Sequence, residues 1–161
     1  MAIEVRLARP EDIPAIAALH RLSRERLARF IPPRLGSTFH DSLQAGEEDA
    51  LFREQLADDD CLLAVAELDG RYCGFISATV QPYEDDLLHS PYLTIEFVEV
   101  EPGLSGQGVG TQLIQAAENF ARLRGIRNVD LQVWQDNPRA QSLYGRLGYS
   151  PLEIRMYKLL D

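Results

Sequence analysis

The chain is predicted to fold as one α/β (α+β) domain over residues 1–161, on a mixed sheet of about six to seven strands flanked by about four helices. Three observations carry that prediction. Short alternating apolar runs follow one another through the first hundred positions, and two of them are joined by the turn signal LDGR at 68–71, which makes antiparallel neighbours. From residue 92 the order changes to strand, helix, strand, which requires a parallel pair with a crossover. Finally, 161 residues, 45% of them hydrophobic, suffice for one core; a chain of this size buries about 70% of its unfolded surface.

Element by element, IEVRLA at 3–8 alternates as a first strand. Residues 10–30 read as a helix with an inner face at positions 13, 16, 17, 20 and 27, and Pro10 and Pro14 fit only near its start. IPPRLGST at 31–38 is a loop and 39–57 a second helix. The hairpin strands are 61–67 and 72–81. An acidic loop, YEDDLLHS at 83–90, precedes the strand YLTIEFVEV at 92–100. Val109, Leu113, Ala117, Phe120 and Ala121 recur at helical spacing within 107–124, and Gly125 stops that helix. A strand at 128–134, a short helix at 137–148 and a final strand, LEIRMYKLL at 152–160, complete the order.

If Asp69 and Gly70 form a two-residue loop, Cys73 stands opposite Ala66 and Cys61 opposite Ala78. The cysteines then point to opposite faces, and no disulfide joins them. The net charge of -9 is uneven: residues 1–100 hold 19 acidic and 9 basic side chains, residues 101–161 hold 6 and 7. Nucleic acid needs a basic footprint and is excluded as a partner, whereas the acidic first part suits a cationic substrate as well as plain surface solubility. No apolar run approaches the roughly 20 residues of a membrane span, and MAIEVRLARPED has no signal-peptide core, so a cytoplasmic location without membrane contact is expected. No metal site is expected, and a second copy of the chain is a candidate partner.

The stretch VEVEPGLSGQGVGTQL at 98–113 places Gly106, Gly108 and Gly110 within five positions, between a strand and a helix. Glycine inside a regular element costs roughly 0.5–1 kcal/mol relative to alanine, so the backbone here must turn or approach something closely. A helix N-terminus presents unpaired N–H groups and the positive end of the helix dipole, which suit phosphate oxygens. A nucleoside-triphosphate loop fails, because Val109 rather than Lys follows Gly108; the dinucleotide fingerprint fails, because Thr111 stands where its third glycine belongs. Alone, the three glycines fit a structural tight turn too.

One strand further on, DNPRAQSLYGRLGY has its own logic. Asn137 before Pro138 is a plausible N-cap with proline at the first helical position, and Ala140, Leu143, Tyr144 and Leu147 share one face. Taken alone, Asn137 reads as a cap and Tyr144 as a core aromatic.

Together the two segments resemble the GNAT superfamily of acetyl-CoA-dependent N-acetyltransferases. VRLARPEDIPAIAAL is similar to the family's first strand and helix, the turn with YCGFISA to its next strands, and VEVEPGLSGQGVGTQLIQAAENFARLRGI to its cofactor motif. The family's N-x-x-A-x-x-x-Y-x-x-x-G-aromatic pattern is present as Asn137, Ala140, Tyr144, Gly148 and Tyr149. The resemblance implies a GNAT-like domain with residues 1–100 mainly on the acceptor side and 92–161 mainly on the cofactor side, parallel at the cofactor site. It implies that acetyl-CoA is the cofactor and CoA a product. It assigns pyrophosphate binding to Ser105, Gly106, Gln107, Gly108, Val109, Gly110 and Thr111, and pantetheine pairing to Val98, Glu99 and Val100. One backbone N–H of that strand would polarise the thioester oxygen. Asn137 falls on a cofactor contact and Tyr144 on the acid that protonates the departing thiolate. One position departs: Ser105 stands where the family has Arg or Gln, so a charge-assisted bond is missing while a hydroxyl donor remains.

The chemistry demands a neutral amine, and an alkylammonium with a pKa near 10.4 is deprotonated about once in 2,500 molecules at pH 7, a barrier of roughly 4–5 kcal/mol. Glu96 is the candidate base, directly or through water, provided burial raises its pKa from about 4.3; an ordinary exposed strand carboxylate is the other reading. Glu99 has the opposite parity, so the two face different sides unless the strand carries a bulge. Phe30, Glu84, Asp85 and Asp86 are candidate acceptor-site residues, the three carboxylates for their attraction to a cation. The expected activity is direct acetyl transfer to a primary amine, a small cationic one before a protein N-terminus or lysine. The competing readings are a non-catalytic acyl-CoA-binding or regulatory module and an interaction domain with a glycine turn.

Overall fold

The computed structural model describes residues 2–32, 47–82, 91–158 and 160. Five strands, β1 (Ile3–Leu7), β2 (Cys61–Leu68), β3 (Arg71–Gln81), β4 (Tyr92–Val100) and β5 (Asn128–Leu131), lie side by side in chain order. The first four pair antiparallel, and β4 pairs parallel with β5. Among the described residues four α-helices accompany them: α1 (Ile13–Leu27), α2 (Glu47–Ala57), α3 (Val109–Leu123) and α4 (Pro138–Arg146). The mixed sheet is as expected, although it has five strands where about six to seven were predicted. Residues 152–158, most of the strand predicted over 152–160, are all exposed and belong to no ladder, and residues 132–134 fall beyond the end of β5. Alternation shows which side chains want cover; it does not name the edge that provides it.

The central strands are covered on both sides, which is why β2 reads as a nearly unbroken apolar run. On one face Leu62, Ala64, Ala66, Ile76, Ala78, Leu93 and Ile95 meet the inner stripe of α3, formed by Val109, Leu113, Ile114, Ala117 and Ala121. On the other, Leu63, Val65 and Phe75 meet Ile13, Ile16, Ala17 and Leu19 of α1 and Phe52 of α2. The helix predicted over 10–30 is α1 flanked by one-turn 3₁₀ segments at Pro10–Asp12 and Ala28–Phe30. Its entry is tied to the sheet: Arg6 contacts Asp12 at 2.7 Å and Glu67 at 2.7 Å, and the guanidinium holds the Asp12 carboxyl below the usual carboxylate range. Among the described residues no helix is long and apolar enough to cross a membrane.

The hairpin has the two-residue loop expected, with Leu68 opposite Arg71, but a bulge follows at once. Ala66 pairs with Gly74 and Glu67 with Tyr72, so Cys73 is the extra residue and Cys61 faces Thr79, not Ala78. The cysteines still lie on opposite faces: Cys73 is buried in the α3-side core, while the Sγ of Cys61 is 3.3 Å from Thr79 Oγ1.

Gly74 marks a close approach of strands. A Cβ there would sit 2.5 Å from the Glu99 carbonyl oxygen and 3.3 Å from Val100 Cα. Gly74→Ala must therefore push β3 from the end of β4, at a cost of about 1–3 kcal/mol. The expected result is a lowered urea midpoint with an unchanged slope.

Candidate active site

The site starts from a defect in β4. Ser77 pairs with Phe97 and Ala78 with Ile95, so Glu96 has no partner of its own on β3 and forms a bulge. Ile95 packs in the α3-side core, yet Glu96, Phe97 and Glu99 all turn to the α1/α2 side, and Val98 returns to the α3 side. The opposite facing expected for Glu96 and Glu99 in a regular strand is thus corrected by the bulge, which adds one residue to the count between them.

The bulge also marks where the sheet opens. Parallel pairing of β4 with β5 ends at Ile95 and Leu131, while β4 continues beside β3 to Val100. The Glu101 N–H donates to the Cys73 carbonyl at 2.9 Å; alternation then aims the N–H groups of Val98 and Val100 away from β3, into the gap. On the α1/α2 side lies a cleft of about 470 Å³, lined by Leu51 and Gln55 of α2, by Thr94, Glu96 and Phe97 of β4, and by Gln132 just past β5.

Glu96 is exposed to this cleft, which is the exposed-carboxylate reading of it rather than the buried one. Its carboxylate is instead held by neighbours. Gln55 Nε2 donates to Glu96 Oε2 at 2.6 Å, and the buried Ser77 hydroxyl donates to Gln55 Oε1 at 2.9 Å with its oxygen 3.4 Å from Glu96 Oε2. Glu99 is different: it is 7% exposed and its Oε1 lies 3.1 Å from His20 Nδ1. The His20 ring is caged by Phe52, Phe75 and Phe97 at centroid distances of 5.4, 6.4 and 4.4 Å.

On the far side of the gap the glycines do what their backbone angles require. The chain leaves β4 through bonds from Leu104 N–H to the Glu101 carbonyl and from Gln107 N–H to the Leu104 carbonyl, each 3.3 Å. Gly106 and Gly108 take φ of +84° and +91°, a region side-chain-bearing residues rarely enter. Gly108 is the N-cap of α3 and has no side chain to cap with. The first helical bond is Gln112 N–H to the Gly108 carbonyl at 3.0 Å, leaving the N–H groups of Val109, Gly110 and Thr111 at the open end of a 15-residue helix. Gly110 serves packing instead: a Cβ there would touch Leu143 of α4 at 3.4 Å and Val100 at 3.9 Å. Ser105 and Gln107 are exposed on the loop.

Helix α4 forms as its sequence dictates. Asn137 Oδ1 accepts the Ala140 N–H at 3.2 Å, Pro138 occupies the first turn, and Leu143, Tyr144 and Leu147 pack toward the α3-side core. The Tyr144 ring lies 6.1 Å from that of Tyr149, and burial pushes its phenol above the ordinary value. Phe30 ends the turn after α1 beneath the Arg29 guanidinium, 4.7 Å from its ring centre, and does not line the cleft. Glu84, Asp85 and Asp86 lie outside the described residues. Sequence reasoning passed over Gln55 and Ser77, which hold Glu96, and the His20 partner of Glu99. Position 20 on the inner stripe of α1 was the only available signal.

These parts make a two-sided site in a split sheet: a strand edge and a bare helix N-terminus on one side, a carboxylate cleft on the other. The model of the Acetyltransferase (GNAT) family matches residues 26–149, and the chain belongs to that family. It is 34% identical over 118 residues to streptothricin acetyltransferase of Streptomyces lavendulae, covering 73% of this chain and 58% of that protein. It is 30% identical over 98 residues to aminoglycoside N(6')-acetyltransferase type 1 of Klebsiella aerogenes, covering 60% and 64%. The chain thus spans less than two thirds of the length of either relative. The solved structure of AAC(6')-Iy in complex with a bisubstrate analogue superposes with a TM-score of 0.77 over 100% of this chain and 99% of that one, at 20% identity, which shows the shared fold.

Proposed function

We propose that the protein transfers the acetyl group of acetyl-CoA directly to a primary amine, with both held in one ternary complex. The parting of β4 and β5 between the glycine-led N-terminus of α3 and the Glu96 cleft is the observation that carries this reading. The N–H groups of the Gly106–Thr111 segment hold the pyrophosphate, Ser105 adds a hydroxyl donor, and Asn137 contributes a further cofactor contact. The free edge of β4 at Val98–Val100 takes the pantetheine arm as an added strand, and one of its inward N–H groups polarises the thioester oxygen. Acetyl-CoA supplies the activated acetyl thioester. Glu96 removes one proton from the bound ammonium, directly or through water; the freed lone pair forms the new C–N bond as the C–S bond breaks, Tyr144 gives its proton to the thiolate, and the second proton released by the amide nitrogen returns through solvent to the Tyr144 phenolate.

A small cationic amine is the favoured acceptor, ahead of a protein N-terminus or lysine. The support is the carboxylate in the cleft, the acidic excess of residues 1–100, and relatives named for streptothricin and aminoglycosides. Glu84, Asp85 and Asp86 belong to that acidic excess.

Calorimetric titration with acetyl-CoA and thiol release with a panel of amines test the proposal together. Saturable binding with turnover on a small cationic amine is expected. Binding without turnover on any amine would instead favour a regulatory acyl-CoA module, and absence of binding an interaction domain. Ser105→Arg restores the family's usual charge beside the pyrophosphate, and the same titration should show acetyl-CoA bound about tenfold more tightly.

A further inference from the structure

Two polar side chains stand where the core on the α1/α2 side would take apolar ones. Ser77 of β3 is 0% exposed; its neighbours Ile76 and Ala78 pack on the α3 side, so alternation sends the hydroxyl to the other face. Gln55 is 7% exposed, on the buried stripe of α2 that also carries Phe52. A buried amide and hydroxyl that only satisfy one another add little to stability, since an apolar pair of the same shape in their place can be as stable. These two do more than satisfy one another: their bonds lead out of the core and end on the carboxylate of the cleft. That carboxylate is in need of support. Glu96 is the bulge residue, without a partner on β3 and exposed to the cleft, and an unheld glutamate there would spread over several rotamers.

The direction of the bonds is fixed by their ends. An ionised carboxylate only accepts, so Gln55, 2.6 Å from Glu96 Oε2, presents Nε2 to it; Gln55 Oε1 then faces Ser77 at 2.9 Å and takes the one hydroxyl proton. Ser77 Oγ, 3.4 Å from Glu96 Oε2, has no second proton to offer it. We propose that Ser77 and Gln55 are positioning residues for the base, a directed pair that occupies Glu96 Oε2 and turns Oε1 alone toward the amine; this rests on Glu96 being the base of the proposed transfer. The ammonium N–H bond breaks, its electron pair stays on nitrogen for the new C–N bond, and the proton goes to Oε1, directly or through water, because Oε2 already holds the Gln55 N–H. A neutral amide neither takes up that proton nor passes it on, so it leaves Oε1 to the water of the cleft. Gln55 lines the cleft together with Leu51, one helical turn before it, so the helix that borders the acceptor also sets the base.

Thiol release with a small cationic amine, measured for Gln55→Leu, Glu96→Gln and the two together, tests the pair. Gln55→Leu should lower kcat at pH 7 by about 10- to 100-fold and leave KM for acetyl-CoA within about twofold of the wild type. Added to Glu96→Gln, the same change should cost no further kcat, because the pair acts only through the carboxylate. The loss in Gln55→Leu should also shrink as pH rises, since more of the amine then arrives neutral and needs no base. Ser77→Ala, which frees the Gln55 amide to turn, should give a smaller loss with the same dependence on pH. If Gln55→Leu does not fold, Ser77→Ala and Gln55→Met carry the same cycle. A loss that adds in full to that of Glu96→Gln, or that stays constant with pH, makes the pair plain packing and overturns the proposal. Normal kcat in Gln55→Leu beside a slow Glu96→Gln overturns the pair alone. Full turnover in Glu96→Gln withdraws the base itself and the pair with it.

Discussion

Tyr144→Phe should lower turnover by about 10- to 10⁴-fold while leaving acetyl-CoA affinity unchanged. The substitution removes one hydroxyl and keeps the ring, which packs against the α3-side core 6.1 Å from the Tyr149 ring. Packing is therefore preserved, and a loss confined to turnover reports the proton the phenol delivers. The sign of its acidity fits that role. Burial disfavours the phenolate and raises the pKa, so the proton-bearing form is the one present at working pH. Because that form is the active one, a raised pKa moves any alkaline decline due to this group above the ordinary phenol value of about 10. With saturating amine, wild-type turnover should hold level between about pH 8 and pH 10. Thiol release across that range, beside calorimetry with acetyl-CoA, checks both statements. Equal turnover of variant and wild type would take Tyr144 out of the mechanism.

The parts of the site that could be read in the sequence are those dictated by short-range physics. Gly106 and Gly108 are legible because positive φ excludes most other residues, and α3 because Val109, Leu113, Ala117 and Ala121 recur at helical spacing. Asn137 and Pro138 announce α4 because the cap bond spans only three residues. The rest depends on where distant strands meet. Two bulges, one leaving Cys73 without a partner and one leaving Glu96 so, arise from how β3 settles against β2 and β4. No local pattern encodes them. The second brings Glu96 and Glu99 to one side, the exception that the parity of a regular strand leaves open, and it matters most for the chemistry. The partners are equally remote: Gln55 is 41 residues from Glu96, and His20 is 79 from Glu99. Residues 152–158 alternate clearly, yet their cover comes from no neighbour in the described chain.

Because the bulge brings both carboxylates to one side, Glu96 and Glu99 must be separated by experiment, and pH does so. Glu96→Gln keeps an oxygen that can accept from Gln55, so the cleft keeps its shape while losing its base. Turnover at pH 7 should fall by about 10²–10⁴-fold. The loss should then shrink as pH rises, because the neutral fraction of an alkylamine grows about tenfold per unit until pH approaches its pKa near 10.4. The variant's log rate should climb with a slope of about one where the wild type is flatter, and the two should converge in alkali. Parallel profiles would pass the proton to solvent. Glu99→Gln should behave otherwise. Its carboxylate is buried against His20 at 3.1 Å within an aromatic cage, away from the cleft lining. Removing that charge should alter the thermal midpoint by the order of 1–3 kcal/mol of stability and leave the slope of the rate profile as in the wild type. A steeper profile in Glu99→Gln than in Glu96→Gln would move the base to the buried pair.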